Sequence, residues 1–181
     1  MTTQARVLLL PGWQDSGPGH WQTLWERQRG WRRVEQADWF WPRRGDWMAR
    51  LDEVLIEEDR PTLLAAHSLG CHLVAAWAAH SAHTARVLGA LLVAPPDTER
   101  DDAPPQLSNW RPIARQRLPF RTTVVISEDD PFSAAGRARV LAADWGAECL
   151  SLAAAGHINA DSGLGDWPQG QGWLLRLGGA G

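Results

Sequence analysis

The sequence predicts an α/β fold: a mostly parallel sheet with helices on both faces and no large lid domain. Three observations carry this. Short apolar runs alternate with helical patterns along the chain. The runs, such as Val7-Leu8-Leu9-Leu10 and Leu63-Leu64-Ala65-Ala66, are continuously apolar, as strands covered on both faces require. The 181 residues are about the size of one ordinary domain, and no linker or repeat divides 1-181.

The elements follow in order. Val7 to Leu10 reads as a buried strand stopped by Pro11-Gly12. A polar, glycine-rich loop, Trp13 to Gly19, leads to a helix over His20 to Arg29, and Val34 to Trp39 is a weak strand pattern. Asp46 to Glu58 places Trp47, Leu51, Val54 and Leu55 at helical spacing with charges between them. Thr62 to Ala66 is a strand feeding an alanine-rich helix, Leu69 to Ala79. Leu88 to Ala94 is a strand closed by Pro95-Pro96. Asp97 to Leu118 is long, polar and punctuated by proline, which predicts an irregular connection and a candidate flap. Strand Thr122 to Ser127, helix Ala134 to Asp144, strand Glu148 to Leu152 and helix Gly170 to Leu177 complete the pattern. The tail Gly178-Gly179-Ala180-Gly181 is expected to fray.

Composition removes several function classes. A formal charge of −3 gives no electrostatic case for nucleic acid or an anionic membrane. Cys71 and Cys149 are too few for a disulfide framework or a zinc site. No run has transmembrane length, and Met1 to Arg6 lacks a signal-peptide core, so the cytoplasm is the expected location. All 18 basic residues are arginine, which excludes Schiff-base chemistry, a phosphate-loop lysine and a Ser-Lys dyad. The absence of tyrosine excludes tyrosine-dependent acid–base schemes. The 12 tryptophans read first as core or half-buried surface.

The chemistry-bearing motif is Ala66-His67-Ser68-Leu69-Gly70, set between a strand and a helix. Small residues two before and two after a serine allow a tight turn that lifts its hydroxyl out of the sheet, a nucleophile elbow. The alternative for Ser68 is a plain cap on a core helix. A serine hydroxyl needs an adjacent base, and the base needs a third group to hold its tautomer. Of six histidines, His67 should point away from the hydroxyl, while His72, His80 and His83 belong to the following helix and its end. His80 and His83 read as a solvated helix end before they read as metal ligands. His157 follows the last strand in a Gly-His step, where a base could reach the elbow; His20 is a candidate pocket residue. The acid should lie between serine and histidine in the chain. Glu128-Asp129-Asp130 follows a strand end, and pattern alone does not choose among the three, although Pro131 constrains Asp130. The backbone amides of Leu69 and Trp13 are the candidate oxyanion donors. Trp13, Trp21, Trp110 and Trp167 are candidate walls of an apolar pocket.

Together these residues resemble the small α/β-hydrolases grouped with retinoblastoma-binding protein nine and bacterial YdeN. The resemblance runs from Leu10-Pro11-Gly12 and Ser16-Gly17-Pro18-Gly19-His20-Trp21 through the elbow to Ser127-Glu128-Asp129-Asp130-Pro131-Phe132. It continues with Gly156-His157-Ile158-Asn159 and Ser162-Gly163-Leu164-Gly165-Asp166-Trp167-Pro168, which look like the bacterial branch. It implies a compact α/β-hydrolase fold, no cofactor, Asp130 as the acid and His157 as the base. Ala66 stands where the family usually has glycine. Leu69-Gly70-Cys71-His72-Leu73 lacks the glutamate of a Leu-x-Cys-x-Glu pocket-protein motif, so that binding role does not carry over. The expectation is a serine hydrolase acting on a small ester or amide through Ser68, Asp130 and His157, with no nucleic-acid or membrane partner. Its rival is a catalytically idle module of the same fold that binds or regulates.

Overall fold

The computed structural model describes residues 5–179. Six parallel strands form one sheet in the order β2-β1-β3-β4-β5-β6: β1(Arg6–Leu10), β2(Arg32–Arg33), β3(Thr62–His67), β4(Val87–Val93), β5(Arg121–Ser127) and β6(Glu148–Leu152). The helices are α1(Trp21–Arg29), α2(Arg44–Ile56), α3(Leu69–Ala78), α4(Ala135–Asp144) and α5(Pro168–Arg176). No helix among the described residues is long and apolar enough to cross a membrane.

Why the strands are apolar at every position is visible in the layers. Successive side chains point to opposite faces. Leu8, Leu10, Leu64, Ala66, Leu92, Val124 and Ile126 pack against α2, α3 and α4. Val7, Leu9, Leu63, Ala65, Leu91, Val93 and Val125 pack against Trp21 and Trp25 of α1 and Leu174 of α5. Both faces are covered, so no position along a central strand calls for a polar residue.

The predicted strand Val34–Trp39 is corrected. β2 is the two-residue Arg32–Arg33, and only the Val34 amide continues the ladder, donating to the Leu9 carbonyl at 2.9 Å. Two local forces end the strand. The Arg33 guanidinium turns inward to Asp15, Glu26, Thr23 and the Ser16 carbonyl. The Asp38 carboxylate accepts the amides of Phe40 and Trp41, a side-chain turn that competes with strand pairing. Of the tail, Gly178 and Gly179 close a turn after α5, with their amides on the Leu175 and Arg176 carbonyls; Ala180 and Gly181 lie outside the described residues.

The strand order fixes where a site can form. The chain leaves β1 toward β2 on one side and returns to β3 on the other. The carboxyl ends of β1 and β3 therefore flank the crevice where parallel sheets bind ligands. Gly12 follows one of these ends and Ser68 the other.

Candidate active site

Ser68 joins β3 to α3 with φ 53° and ψ −122°, a left-handed backbone rare for a residue with a side chain. Its amide is held by the Val93 carbonyl at 2.9 Å, and its carbonyl accepts from Cys71 at 2.9 Å. The glycines around it are dictated by contact. A Cβ on Gly70 would sit 2.3 Å from the Leu10 carbonyl oxygen, and one on Gly12 would sit 2.9 Å from the Ser68 Cβ. Ala66, by contrast, is accommodated as a buried rung between Leu10 and Leu92.

Ser68 Oγ donates to His157 Nε2 at 2.8 Å. On the other side of the ring, His157 Nδ1 donates to both Asp130 oxygens, each at 3.0 Å. The Asp130 and His157 side chains are 4% and 10% exposed, so this pairing is shielded from water. The proton positions follow from the partners: Nδ1 carries hydrogen toward the carboxylate, leaving the Nε2 lone pair facing the serine.

The three carboxylates after β5 separate by what they touch. Glu128 faces outward to Arg139 and Ser151, which hold its carboxyl below the usual range, Ser151 most strongly. Asp129 accepts the Ser127 hydroxyl at 2.7 Å and the Gly156 amide at 2.8 Å, tying the histidine loop to the end of β5. Those two bonds, Ser127 first, lower its pKa. Asp130 alone reaches His157, and the Phe132 amide donates to it at 2.9 Å.

The amides of Trp13 and Leu69 donate to no acceptor among the described residues, and both residues line the cavity beside Ser68. That cavity, about 360 Å³, is walled mainly by Trp13, Leu69, Pro104, Leu107 and Phe132. One wall comes from the Asp97–Leu118 connection, which holds a short 3₁₀ segment at Pro105–Trp110. The connection is fastened to the acid loop by Asp97 N–H to the Phe132 carbonyl at 2.9 Å and Arg100 to the Pro131 carbonyl at 2.7 Å. Ion pairs among Asp97, Glu99, Arg115, Arg137 and Asp144 fasten it to α4.

His20, Trp21 and Trp167 lie elsewhere than a cavity wall. They are buried behind His157: His20 caps α1 by accepting the Gln22 amide, and the Trp21 indole donates to the Ile158 carbonyl at 2.9 Å. Trp167 packs on Trp21 with ring centres 5.3 Å apart. Trp110 is also buried, donating to the Pro42 carbonyl, so of the four candidate tryptophan walls Trp13 alone lines the cavity. His80 and His83 take separate partners, the Ala76 carbonyl and the Asp52 carboxylate. Sequence reasoning missed Asp129 and His67 as supports of the His157 loop. For Asp129 the signal was an acidic run of three, two more than a single acid needs. For His67 nothing local gave it.

The serine hydrolase family profile matches residues 7–176, and the chain belongs to that family. No curated protein sequence matches it. Among solved structures, one described as a YdeN-like hydrolase from Pectobacterium atrosepticum is 29% identical, with a TM-score of 0.84 over 97% of this chain and 91% of that one. The ydeN gene product of B. subtilis is 21% identical, with a TM-score of 0.75 over 96% and 98%. A Bacillus cereus carboxylesterase is 15% identical, with a TM-score of 0.62 over 98% and 90%. The likeness to the last two is one of fold.

Proposed function

We propose that this serine hydrolase cleaves a carboxylic ester of small size through an acyl-enzyme. Ser68 Oγ attacks the carbonyl carbon while His157 Nε2 takes the hydroxyl proton. Asp130 keeps the proton on Nδ1 and balances the imidazolium that forms. The Trp13 and Leu69 amides receive the oxyanion. Collapse of the tetrahedral species expels the alcohol, which leaves with the proton from His157. Water, deprotonated by the same nitrogen, then releases the acid and restores Ser68. The observation that carries this reading is the bifacial engagement of His157: 2.8 Å to Ser68 on one nitrogen, 3.0 Å to both Asp130 oxygens on the other.

Substrate size follows from the cavity. At about 360 Å³ it lies near the low end of the ~300–1,000 Å³ typical of ligand pockets, and its lining is mostly apolar. Short acyl esters suit it better than long chains, because the Asp97–Leu118 wall is fastened at both ends. A fluorophosphonate probe should label the wild type, and Ser68→Ala should abolish labelling while keeping the wild-type melting profile. Equal labelling of both proteins would remove Ser68 from the mechanism. A p-nitrophenyl ester series should show kcat/KM falling as the acyl chain lengthens beyond the cavity.

A further inference from the structure

The back of His157 is as ordered as its front. The His157 main-chain carbonyl accepts from His67 Nε2 at 2.8 Å, and His67 is its only donor among the described residues. His67 Nδ1 lies 3.3 Å from His20 Nε2, and His20 Nδ1 lies 3.1 Å from the Gln22 amide nitrogen. One proton assignment satisfies every contact. The Gln22 amide can only donate, so His20 Nδ1 bears a lone pair and its proton sits on Nε2. That proton goes to His67 Nδ1, which leaves the His67 proton on Nε2, facing the carbonyl. The front ring, His157, has the opposite tautomer.

Both supporting rings must stay neutral, because one more proton would set two N–H groups against each other. They are buried, 4% exposed each. Desolvation, with Arg33 and His157 adding to it, pushes His20 down to about 3. Desolvation also drives His67 well below its ordinary value. The loop they hold keeps its own hydrogen bonds among Ala155, Ile158, Asn159 and Ser162, but none of these reaches the His157 carbonyl, and Gly156 and Ile158 on either side of His157 have φ of +55° and +48°. The His67 and His157 rings meet edge to face, 4.9 Å between centres.

We propose that His67, oriented by His20, is a positioning residue: its Nε2–H holds the His157 main chain so that His157 Nε2 stays on Ser68 Oγ. This rests on the Ser68 reading above. The chain of contacts runs from the first turn of α1, through two imidazoles, to the base. It explains why a histidine stands immediately before the nucleophile although its side chain turns away from the cavity.

Two measurements test it. In the wild type, long-range proton–nitrogen NMR at neutral pH should show His20 and His67 as neutral rings with the proton on Nε2; either ring cationic, or protonated on Nδ1, overturns the assignment. This needs no turnover. In the second, His67→Phe keeps the ring volume and loses the donor, while His67→Gln restores an N–H at similar reach. His67→Phe should lower both kcat on a short ester and the fluorophosphonate labelling rate by about tenfold to a hundredfold with KM little changed, and His67→Gln should recover most of the loss. Equal rates in wild type and His67→Phe, or no recovery in His67→Gln, overturn the positioning role. A wild type that never labels overturns the Ser68 reading and takes this role with it. If His67→Phe fails to fold, His67→Gln against wild type and the tautomer assignment decide.

Discussion

The two halves of the site are held in different ways. The serine half is fixed by backbone: a strand end, a residue at positive φ, and glycines whose missing side chains let β1 and α3 approach. The histidine half is a loop, residues 153–167, held by side chains from distant segments. Asp129 takes the Gly156 amide, Trp21 the Ile158 carbonyl, Trp25 the Asp166 carbonyl and His67 the His157 carbonyl. A backbone-built half tolerates few residue types at a few positions. A side-chain-built half spreads its support over many positions, each contributing a little.

The largest effects should come where the two halves meet. Asp130→Asn keeps the shape but presents an amide to a ring whose Nδ1–H needs an acceptor. Rotation to satisfy the amide favours the tautomer with N–H facing Ser68, which cannot accept the hydroxyl proton. A fall in kcat of about 10²–10⁴ is expected, with a melting temperature close to wild type. Glu128→Gln, at a carboxylate that bonds Arg139 and Ser151 and faces away from His157, should leave kcat unchanged. Equal losses in the two variants would remove the distinction among the three carboxylates.

Acid should strain both halves through their buried neutral histidines. Burial lowers His72, on α3 behind Ser68, to about 4, and His20, behind His157, to about 3. Both folded pKa values lie below the unfolded ~6.5, so below that pH the unfolded chain takes up protons that the folded one refuses. Stability is therefore fully present above about pH 6.5 and falls as pH drops toward 4 and 3, by at most ~1.4 kcal/mol per pH unit per histidine. Urea unfolding at pH 7, 6 and 5 should show a falling midpoint at constant m-value. His72→Gln should flatten the slope, and an unchanged slope would mean that His72 is not held neutral.

The serine half should break sharply under a single methyl group. Gly70→Ala places a Cβ 2.3 Å from the Leu10 oxygen and 3.1 Å from the Pro11 oxygen, both backbone atoms. The cost should be about 1–3 kcal/mol in urea unfolding, with reduced labelling because Pro11 lies two residues before the Trp13 amide. Wild-type stability in this variant would mean that α3 and β1 can separate freely.

This contrast also decides what was legible in the sequence. Periodicity located five of six strands and all five helices to within about two residues, because continuous apolar runs and helical spacing are local signals. Ser68, Gly70 and His157 could be named because their motifs sit at strand ends, whereas pattern left Asp130 among three carboxylates and the family resemblance implied it. The misplaced β2 was a two-residue strand whose end is set by Asp38 and by the long-range pull on Arg33. The supports of His157 were hidden for a related reason. His20, Trp21 and Trp167 were expected at the pocket and lie beneath the His157 loop instead, since nothing local says whether a ring faces a cavity or the underside of a loop. The tryptophan count predicted packing; what it did not reveal is that Trp21, Trp25, Trp47 and Trp110 each spend the indole N–H on a main-chain carbonyl of a loop.

The smallest effect is the most discriminating, because it compares two tryptophans alike in everything except what they hold. Trp21 and Trp47 are each 1% exposed, and each donates its indole N–H to a loop carbonyl, Ile158 at 2.9 Å and Asp38 at 3.2 Å. Replacement by phenylalanine removes the donor and part of the ring in both. Each change should cost about 1–3 kcal/mol of stability from the lost bond and the volume left behind. Trp21→Phe should also lower kcat, by several-fold, because Ile158 follows His157 directly in a loop with positive φ on both sides of the base. Trp47→Phe acts on the Asp38 segment, two residues from the Phe40 carbonyl that takes the Trp13 indole, so its loss of kcat should be the smaller of the two. Steady-state rates measured beside urea unfolding separate the two quantities. Parallel losses of rate and stability in both variants would show that the site responds to global stability alone, and that the histidine half has no dedicated support.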